Sequence, residues 1–123
     1  MPNQGPLIYV VDADIAVRSS LEFSLEIEGF TTRAYADATS FLKEADFSGP
    51  SIVIVDFDLP DMTGLDVLDM LRKRGLTPAA ILIASVATQA LRKRAMALNT
   101  PVVEKPFSGD HLIDTVRAAF ARE

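Results

Sequence analysis

Three charged side chains stand where short apolar runs of the sequence end. Asp12 closes the first of these runs, Asp56 closes the third, and Lys105 follows the fifth. Two carboxylates and an ammonium group around one point suit a divalent metal ion and a phosphoryl group, because Mg²⁺ prefers one or two carboxylates together with water and phosphate oxygens. A carboxylate can also accept a phosphoryl group as an acyl phosphate, and lysine supplies a mobile positive charge. The residue types therefore indicate phosphoryl chemistry.

The hydrophobic pattern predicts the elements that must position these side chains. Short apolar runs alternate with amphipathic stretches of helical length. Strands are predicted at 7–11, 31–35, 52–55, 79–83 and 101–103, and helices at 14–28, 37–46, 63–74, 88–98 and 108–120. Five strand–helix units in strict alternation predict a parallel sheet with helices on both faces.

The predicted fold is a single α/β domain over residues 1–123, a flavodoxin-like (βα)5 doubly wound sheet with strand order 2-1-3-4-5. This order puts the polar second strand at an edge and the first and third strands side by side in the centre. Ligands of such sheets bind beyond the carboxyl ends of the strands. We therefore expect Asp12, Asp56 and Lys105 to converge in one solvent-accessible cleft.

Composition excludes several classes of function. The chain has 123 residues, no cysteine and one histidine, so disulfides, thiolate metal sites and multi-histidine metal sites are excluded. A net charge of −5 argues against direct nucleic-acid binding. No apolar run approaches the roughly 20 residues of a membrane helix, and residues 1–6 lack the basic region of a signal peptide. We expect a cytoplasmic protein without membrane contact.

Three motifs resemble the receiver domain of bacterial two-component response regulators. Residues 55–64, Val-Asp-Phe-Asp-Leu-Pro-Asp-Met-Thr-Gly, resemble the segment around the phosphorylated aspartate. Residues 104–107, Glu-Lys-Pro-Phe, resemble the lysine–proline segment, and residues 10–12, Val-Val-Asp, resemble the first acidic site. The motifs are ordered and spaced as in that family, and the resemblance covers essentially the whole chain.

The resemblance implies a role for each matching residue. Asp56 would be the phosphoryl acceptor, and Lys105 would contact the phosphoryl group through a segment in which the Lys105–Pro106 bond is cis. Such a bond is accessible, since cis costs only about 0.5–1 kcal/mol before proline. Asp12, Asp56 and the main-chain carbonyl of Asp58 would bind Mg²⁺.

The resemblance also implies partners. A histidine kinase or a phosphotransfer domain would donate the phosphoryl group, and the domain would regulate an output domain or a partner protein. The face made by the fourth helix, fifth strand and fifth helix would be recognised by that partner or form a dimer. The protein would be a signalling module and not an enzyme.

The chain departs from the family pattern at three places. The acidic residue that usually binds the metal directly is replaced by Ala13, which weakens the expected Mg²⁺ site, and Asp14 stands one step further on. At the end of the fourth strand, where the family has a hydroxyl that contacts the phosphoryl group, this sequence has Ala84, with Ser85 as a candidate substitute. The usual aromatic switch residue is replaced by Val102.

These departures favour an alternative, a degenerate receiver that acts as an interaction module regardless of phosphorylation. The retained pair of Asp56 and Lys105 opposes it. A further alternative is a phosphatase of the haloacid-dehalogenase type, because Asp56-Phe57-Asp58 resembles its Asp-x-Asp signature. That signature normally follows the first strand, and the chain has no room for a cap domain. Flavin binding is disfavoured because the first loop is acidic where a phosphate cradle is needed.

Some of these residues have structural explanations as well. Asp12 and Asp14 could cap the first helix, and Thr63 is expected to cap the third, with Asp66 completing a capping box.

Overall fold

Five strands and five helices alternate along residues 6–121, the part of the chain that this computed structural model describes. The strands are β1 (Leu7–Val11), β2 (Thr31–Tyr35), β3 (Ser51–Asp56), β4 (Ala79–Ala84) and β5 (Val102–Glu104). The helices are α1 (Ile15–Ile27), α2 (Ala38–Glu44), α3 (Gly64–Lys73), α4 (Gln89–Ala97) and α5 (Gly109–Ala121). Every predicted element is present, and the largest boundary difference is at the end of α2.

The strands form one parallel sheet in the order β2-β1-β3-β4-β5, which confirms the predicted topology. The register aligns Val11 with Val55 across β1 and β3. It also aligns Asp56 with Ile83 across β3 and β4, and Ile83 with Val103 across β4 and β5. The carboxyl ends of β1, β3, β4 and β5 therefore meet at one edge of the sheet.

The two faces of the sheet bury different side chains, because successive residues of a strand point to opposite sides. One face packs against α2, α3 and α4 and includes Val55 and Ala84. The other packs against α1 and α5 and includes Ile54 and Ile83. All six residues of β3 are buried, as expected for a central strand covered on both faces.

Side-chain caps fix where α1 and α3 begin. Asp14 accepts a hydrogen bond from the Ala16 amide at the start of α1. Thr63 and Asp66 form the predicted capping box at the start of α3.

The chain leaves α2 before Asp46, whose backbone amide donates to the Tyr9 hydroxyl and whose carbonyl accepts from it, both at 2.8 Å. This contact with β1 ends α2 about two residues earlier than the hydrophobic pattern suggested.

Within residues 6–121, none of the helices is long and apolar enough to cross a membrane. The prediction about residues 1–6 falls outside the described residues except at Pro6.

Candidate functional site

The structure brings the two aspartates and the lysine together, as predicted. Lys105 Nζ lies 3.0 Å from Asp56 Oδ2 and 3.1 Å from Asp12 Oδ2. The expectation of a solvent-accessible cleft is wrong for the carboxylates, because Asp12 is only 1% exposed and Asp56 only 4%. The Lys105 side chain, itself 22% exposed, bridges both buried carboxylates. A ligand must therefore displace or share this ammonium group to reach Asp56.

The two carboxylates are held in the same way by the loops that follow their strands. The Asp14 amide donates to Asp12 Oδ1 at 2.9 Å, and the Asp58 amide donates to Asp56 Oδ1 at 3.2 Å. Each Oδ1 is thus engaged by the amide two residues further on, a turn in which aspartate bonds its own backbone. Each Oδ2 is left facing Lys105. One oxygen of each carboxylate is fixed by the loop, and the other is directed at the shared ammonium.

Burial and charge shift the pKa values of this cluster. Burial raises the pKa of Asp56 above its usual range, and the nearby Asp12 charge adds to that rise, while the hydrogen bond from Lys105 opposes it. For Lys105, burial works against the charged form, but its contacts with Asp56 and Asp12 outweigh burial and raise its pKa. The lysine therefore remains an ammonium ion.

The backbone of the lysine segment is fixed by β4. The Lys105 amide donates to the Ala84 carbonyl at 2.9 Å. The bond between Lys105 and Pro106 is cis, which confirms that prediction.

The residues at this edge fit a magnesium ion in part. Asp12 Oδ2 is buried and accepts no hydrogen bond from the described residues; its approach to Lys105 is an ion pair without hydrogen-bond geometry. No backbone donor competes for this oxygen, so a cation that displaces or shares Lys105 could bind it. However, no group of three or more acidic, histidine or cysteine side chains is arranged as a metal site within residues 6–121. Ala13 supplies no ligand, and the Asp14 carboxylate caps α1 and does not replace it.

The residues of β4 and β5 that depart from the family pattern differ in how deeply they are buried. Ala84 ends β4 as expected, but its side chain belongs to the core under α2, α3 and α4. The β4 residue in register with Asp56 is Ile83, on the α1 and α5 face. Ser85 lies beyond the strand and is exposed. Val102 begins β5 and packs against the same core as Ala84.

Two side chains that the sequence analysis did not single out also act on the site loops. The Arg18 guanidinium donates to the main-chain carbonyls of Asp12 at 2.8 Å and Ala13 at 3.1 Å. Asp61, in the loop after Asp56, accepts hydrogen bonds from the Ala38 amide at 3.0 Å and from Thr39. Arg18 is the fourth residue of α1, and a long cation at the end of the first helical turn can reach back to the preceding loop, which is a signal that the sequence provides. Nothing in the local sequence pairs Asp61 with α2.

A parallel five-stranded sheet with an Asp–Lys–Asp cluster at the carboxyl ends of its strands identifies a class of protein domain. The chain belongs to the response regulator receiver domain family, whose family model matches residues 8–117. Receiver domains are the phosphoacceptor signalling modules of two-component systems.

Particular relatives support this assignment. The chain is 33% identical over 123 residues to the transcriptional regulatory protein FixJ of Azorhizobium caulinodans, covering 99% of this chain and 58% of that protein. The crystal structure of full-length FixJ from B. japonicum matches with a TM-score of 0.87 and 28% identity, covering 98% of this chain and 59% of that one. The signal receiver domain of a putative LuxO repressor protein from Vibrio parahaemolyticus has the same fold, with a TM-score of 0.88 and 21% identity, covering 96% of this chain and 92% of that one. The chain thus spans just over half the length of these FixJ proteins.

Proposed function

We propose that Asp56 is the phosphoryl acceptor and that Asp12 and Lys105 are its partners in the reaction. The observation that carries this proposal is the position of Lys105 Nζ, about equally distant from the Oδ2 atoms of Asp12 and Asp56. A buried ion cluster of two acids and one base is costly to maintain for stability alone. Its groups are instead those that an acyl phosphate requires.

The Asp56 Oδ2 atom is the nucleophile. Its attack on a phosphohistidine forms the oxygen–phosphorus bond as the phosphorus–nitrogen bond breaks, and the imidazole nitrogen leaves with the electron pair of that bond. The Asp58 amide keeps Oδ1 in place during the transfer. Lys105 moves its charge from the carboxylate to the phosphoryl oxygens. This movement uncovers Asp56, because Lys105 is the side chain that bridges the two carboxylates.

Asp12, Asp56 and the main-chain carbonyl of Asp58 would hold Mg²⁺, which supplies charge neutralisation to the transferring group when bound. We propose weaker binding than in a site with one more acid, because Ala13 provides no carboxylate. The Asp12 side chain is already buried, and its Oδ2 atom accepts no hydrogen bond. This oxygen could therefore bind a cation without breaking a hydrogen bond to a backbone amide.

Ser85 is the candidate hydroxyl for the phosphoryl group. It follows β4 at the same edge, two residues after the partner of Asp56 in the register. Because alternate residues share a face, Ser85 has the right parity to approach the site if the loop after β4 extends the strand. It is exposed, so its side chain is unconstrained by packing.

We propose that residues 1–123 act as one non-enzymatic receiver domain in the cytoplasm, receiving the phosphoryl group from a histidine kinase or phosphotransfer domain. The output domain or partner would contact the surface of α4, β5 and α5, which would also be the surface of any dimer. We propose that this domain contacts neither nucleic acid nor membrane directly, and the net charge of −5 disfavours nucleic-acid binding.

The alternative, a phosphorylation-independent interaction module, has Ala13, Ala84 and Val102 in its favour. One experiment distinguishes this alternative from the phosphoacceptor proposal. The protein would be incubated with acetyl phosphate and Mg²⁺ and its intact mass measured. We expect the mass of one added phosphoryl group on the wild type and none on Asp56→Asn. An unmodified wild type, or equal modification of both proteins, would contradict the phosphoacceptor proposal.

A further inference from the structure

Arg18 is a cation of α1 that reaches back to the loop carrying Asp12. One of its guanidinium nitrogens donates to the Asp12 carbonyl at 2.8 Å and to the Ala13 carbonyl at 3.1 Å. The side chain is half-buried, and among residues 6–121 it forms no ion pair with an acidic side chain. Its charge is therefore directed at two backbone oxygens of the candidate site. Hydrogen bonds from a charged donor are about twice as strong as neutral ones.

These hydrogen bonds hold the loop that fixes the Asp12 carboxylate. The Asp14 amide donates to Asp12 Oδ1 at 2.9 Å. The Arg18 amide donates to the Asp14 carbonyl at 3.0 Å, so the backbone and the side chain of Arg18 both hold residues 12–14. With Oδ1 engaged in this way, Asp12 Oδ2 accepts no hydrogen bond and lies 3.1 Å from Lys105 Nζ. The position of Oδ2 thus depends on a loop that Arg18 holds.

The same loop has few other contacts. Ala13 and Asp14 are both exposed, and the Asp14 side chain is engaged at the start of α1 by the Ala16 amide. Ala13 has no carboxylate through which a bound metal ion could draw the loop toward the site. The loop must therefore be ordered by the protein itself, and a site that is ordered before its ligand arrives binds that ligand more tightly.

We propose that Arg18 is a positioning residue for Asp12, holding residues 12–14 so that Oδ2 stays available to Mg²⁺. This inference rests on the proposed function of the site. Arg18 contacts neither the ion nor the phosphoryl group, and it acts through the Asp12 and Ala13 carbonyls. Without the guanidinium the loop opens, and binding of the ion must also order it. Loss of a group that orients a metal ligand commonly weakens metal binding about 10–100-fold.

Three variants separate this role from a contribution to stability alone. Arg18→Met keeps an aliphatic side chain and removes every donor, whereas Arg18→Lys keeps a charged donor. Arg74→Met is the matched control, because the Arg74 guanidinium donates to the Leu42 carbonyl at 3.0 Å, a contact of the same kind between the end of α3 and α2. Urea denaturation would measure the stability of each protein. Hydrogen exchange of the Asp14 amide without metal would report on the loop, and amide chemical shifts over a Mg²⁺ titration would give the dissociation constant.

We expect the Asp14 amide to exchange about tenfold faster in Arg18→Met than in the wild type, because its hydrogen bond to Asp12 is lost whenever the loop opens. The dissociation constant for Mg²⁺ should rise about tenfold in Arg18→Met and return to within about threefold of the wild type in Arg18→Lys. Arg74→Met should lose stability to a similar extent as Arg18→Met, with Asp14 exchange and Mg²⁺ binding unchanged.

Unchanged Asp14 exchange and Mg²⁺ binding in Arg18→Met would overturn the inference. Equal losses in Arg18→Met and Arg74→Met would also overturn it, as would a lack of recovery in Arg18→Lys. If Arg18→Met does not fold, Arg18→Gln, with a shorter and neutral donor, takes its place against Arg18→Lys.

A failure of the proposed function looks different. In that case the wild type and Arg74→Met neither bind Mg²⁺ nor gain a phosphoryl group from acetyl phosphate. Exchange at Asp14 needs no metal, so it still tests whether Arg18 holds the loop.

Discussion

Lys105 determines the electrostatics of the site because one ammonium group serves two buried carboxylates. Its Nζ atom contacts both Asp12 and Asp56, and the pKa of Asp56 is raised even with the lysine in place. Removing one partner of a buried ion cluster leaves an uncompensated charge, which is more costly than replacing the whole cluster. Without Lys105, both carboxylates would repel each other in a poorly solvated position.

Lys105→Met is expected to destabilise the protein by about 3 kcal/mol at neutral pH. The sign of its pH dependence follows from the raised pKa of Asp56. A carboxyl whose pKa is higher in the folded than in the unfolded state costs stability once the pH rises above both values, and this cost disappears as the pH falls and the carboxyl takes up a proton. The deficit of Lys105→Met should therefore shrink toward acidic pH.

Urea denaturation of wild type and Lys105→Met across a range of pH would measure this deficit. Lys93→Met is the control, because Lys93 is exposed on α4 and its loss should change stability by no more than about 0.5 kcal/mol. A deficit of Lys105→Met that stayed constant with pH would show that lost packing, and not charge, explains the effect.

At the scale of the elements, Asp61 joins the loop after β3 to the start of α2. Asp37 accepts from the Ser40 amide, while Asp61 accepts from the Ala38 and Thr39 amides, so two acidic residues satisfy the first three amides of the helix. The hydrogen bonds that Asp61 accepts lower its pKa to about 2, and the one from the Thr39 hydroxyl has the largest effect. The loop that carries Asp58 is thereby anchored to a rigid element.

Asp61→Ala is expected to destabilise the protein by about 1 kcal/mol, the usual cost of losing a helix cap. Because the pKa of Asp61 is lowered in the folded state, its contribution is present above its unfolded pKa and lost as the pH falls through about 2. The difference between wild type and Asp61→Ala should thus stay constant from neutral pH to about pH 5 and shrink below it. Thermal unfolding would measure it, with the exposed Asp114→Ala as control; a difference already fading at pH 6 would contradict this assignment.

Gly64 sets how closely α3 approaches the end of β3. A Cβ atom at this position would lie 2.6 Å from the Asp56 carbonyl oxygen and 2.9 Å from Leu82 Cδ1, both closer than real contacts allow. Gly64→Ala must therefore move α3 or the backbone of Asp56, at an expected cost of about 1–3 kcal/mol.

The same shift would lower the rate at which Asp56 accepts a phosphoryl group from acetyl phosphate. Unfolding and mass measurements on Gly64→Ala would test both effects. Gly109→Ala is the control, since a Cβ atom there meets nothing within 4 Å. A Gly64→Ala protein as stable and as readily modified as the control would show that the contact relaxes at no cost.

These elements also separate what the sequence can predict from what it cannot. The strands and the convergence of Asp12, Asp56 and Lys105 follow from hydrophobic period and parallel topology, because every parallel strand ends at the same edge. The register of β4 against β3 is not revealed by a continuous apolar run such as 79–83. The contact of Asp61 with α2 joins residues more than twenty positions apart, and no local pattern encodes it.

At the scale of the whole molecule, the chemistry is concentrated at one edge of a sheet covered on both faces. Asp12 follows β1, Asp56 ends β3 and Lys105 follows β5, so their geometry depends on the packing of the entire domain. A ligand that binds the folded site stabilises the whole domain by mass action. Thermal stability in the presence of Mg²⁺ is therefore a direct measure of how well the site holds the ion.

Ala13→Asp is expected to change the melting temperature in opposite directions without and with Mg²⁺. Without metal, a third carboxylate beside Asp12 and Asp56 adds repulsion and should lower the melting temperature by a few degrees. With Mg²⁺, the added ligand should tighten binding about tenfold, so that millimolar metal restores or exceeds the wild-type melting temperature. The Arg18 guanidinium, which bonds the Asp12 and Ala13 carbonyls, holds the backbone at this position in both proteins.

Thermal melts over a Mg²⁺ titration would test this expectation, with Ala13→Asn as the control of similar size but no charge. Ala13→Asn should show neither the loss without metal nor the larger gain with it. If the wild type and Ala13→Asp gained equally from low Mg²⁺ concentrations, the wild-type site would already bind the ion tightly through Asp12, Asp56 and the Asp58 carbonyl. The absence of an acid at position 13 would then have no effect on magnesium binding, and the weakened metal site proposed for this protein would be wrong.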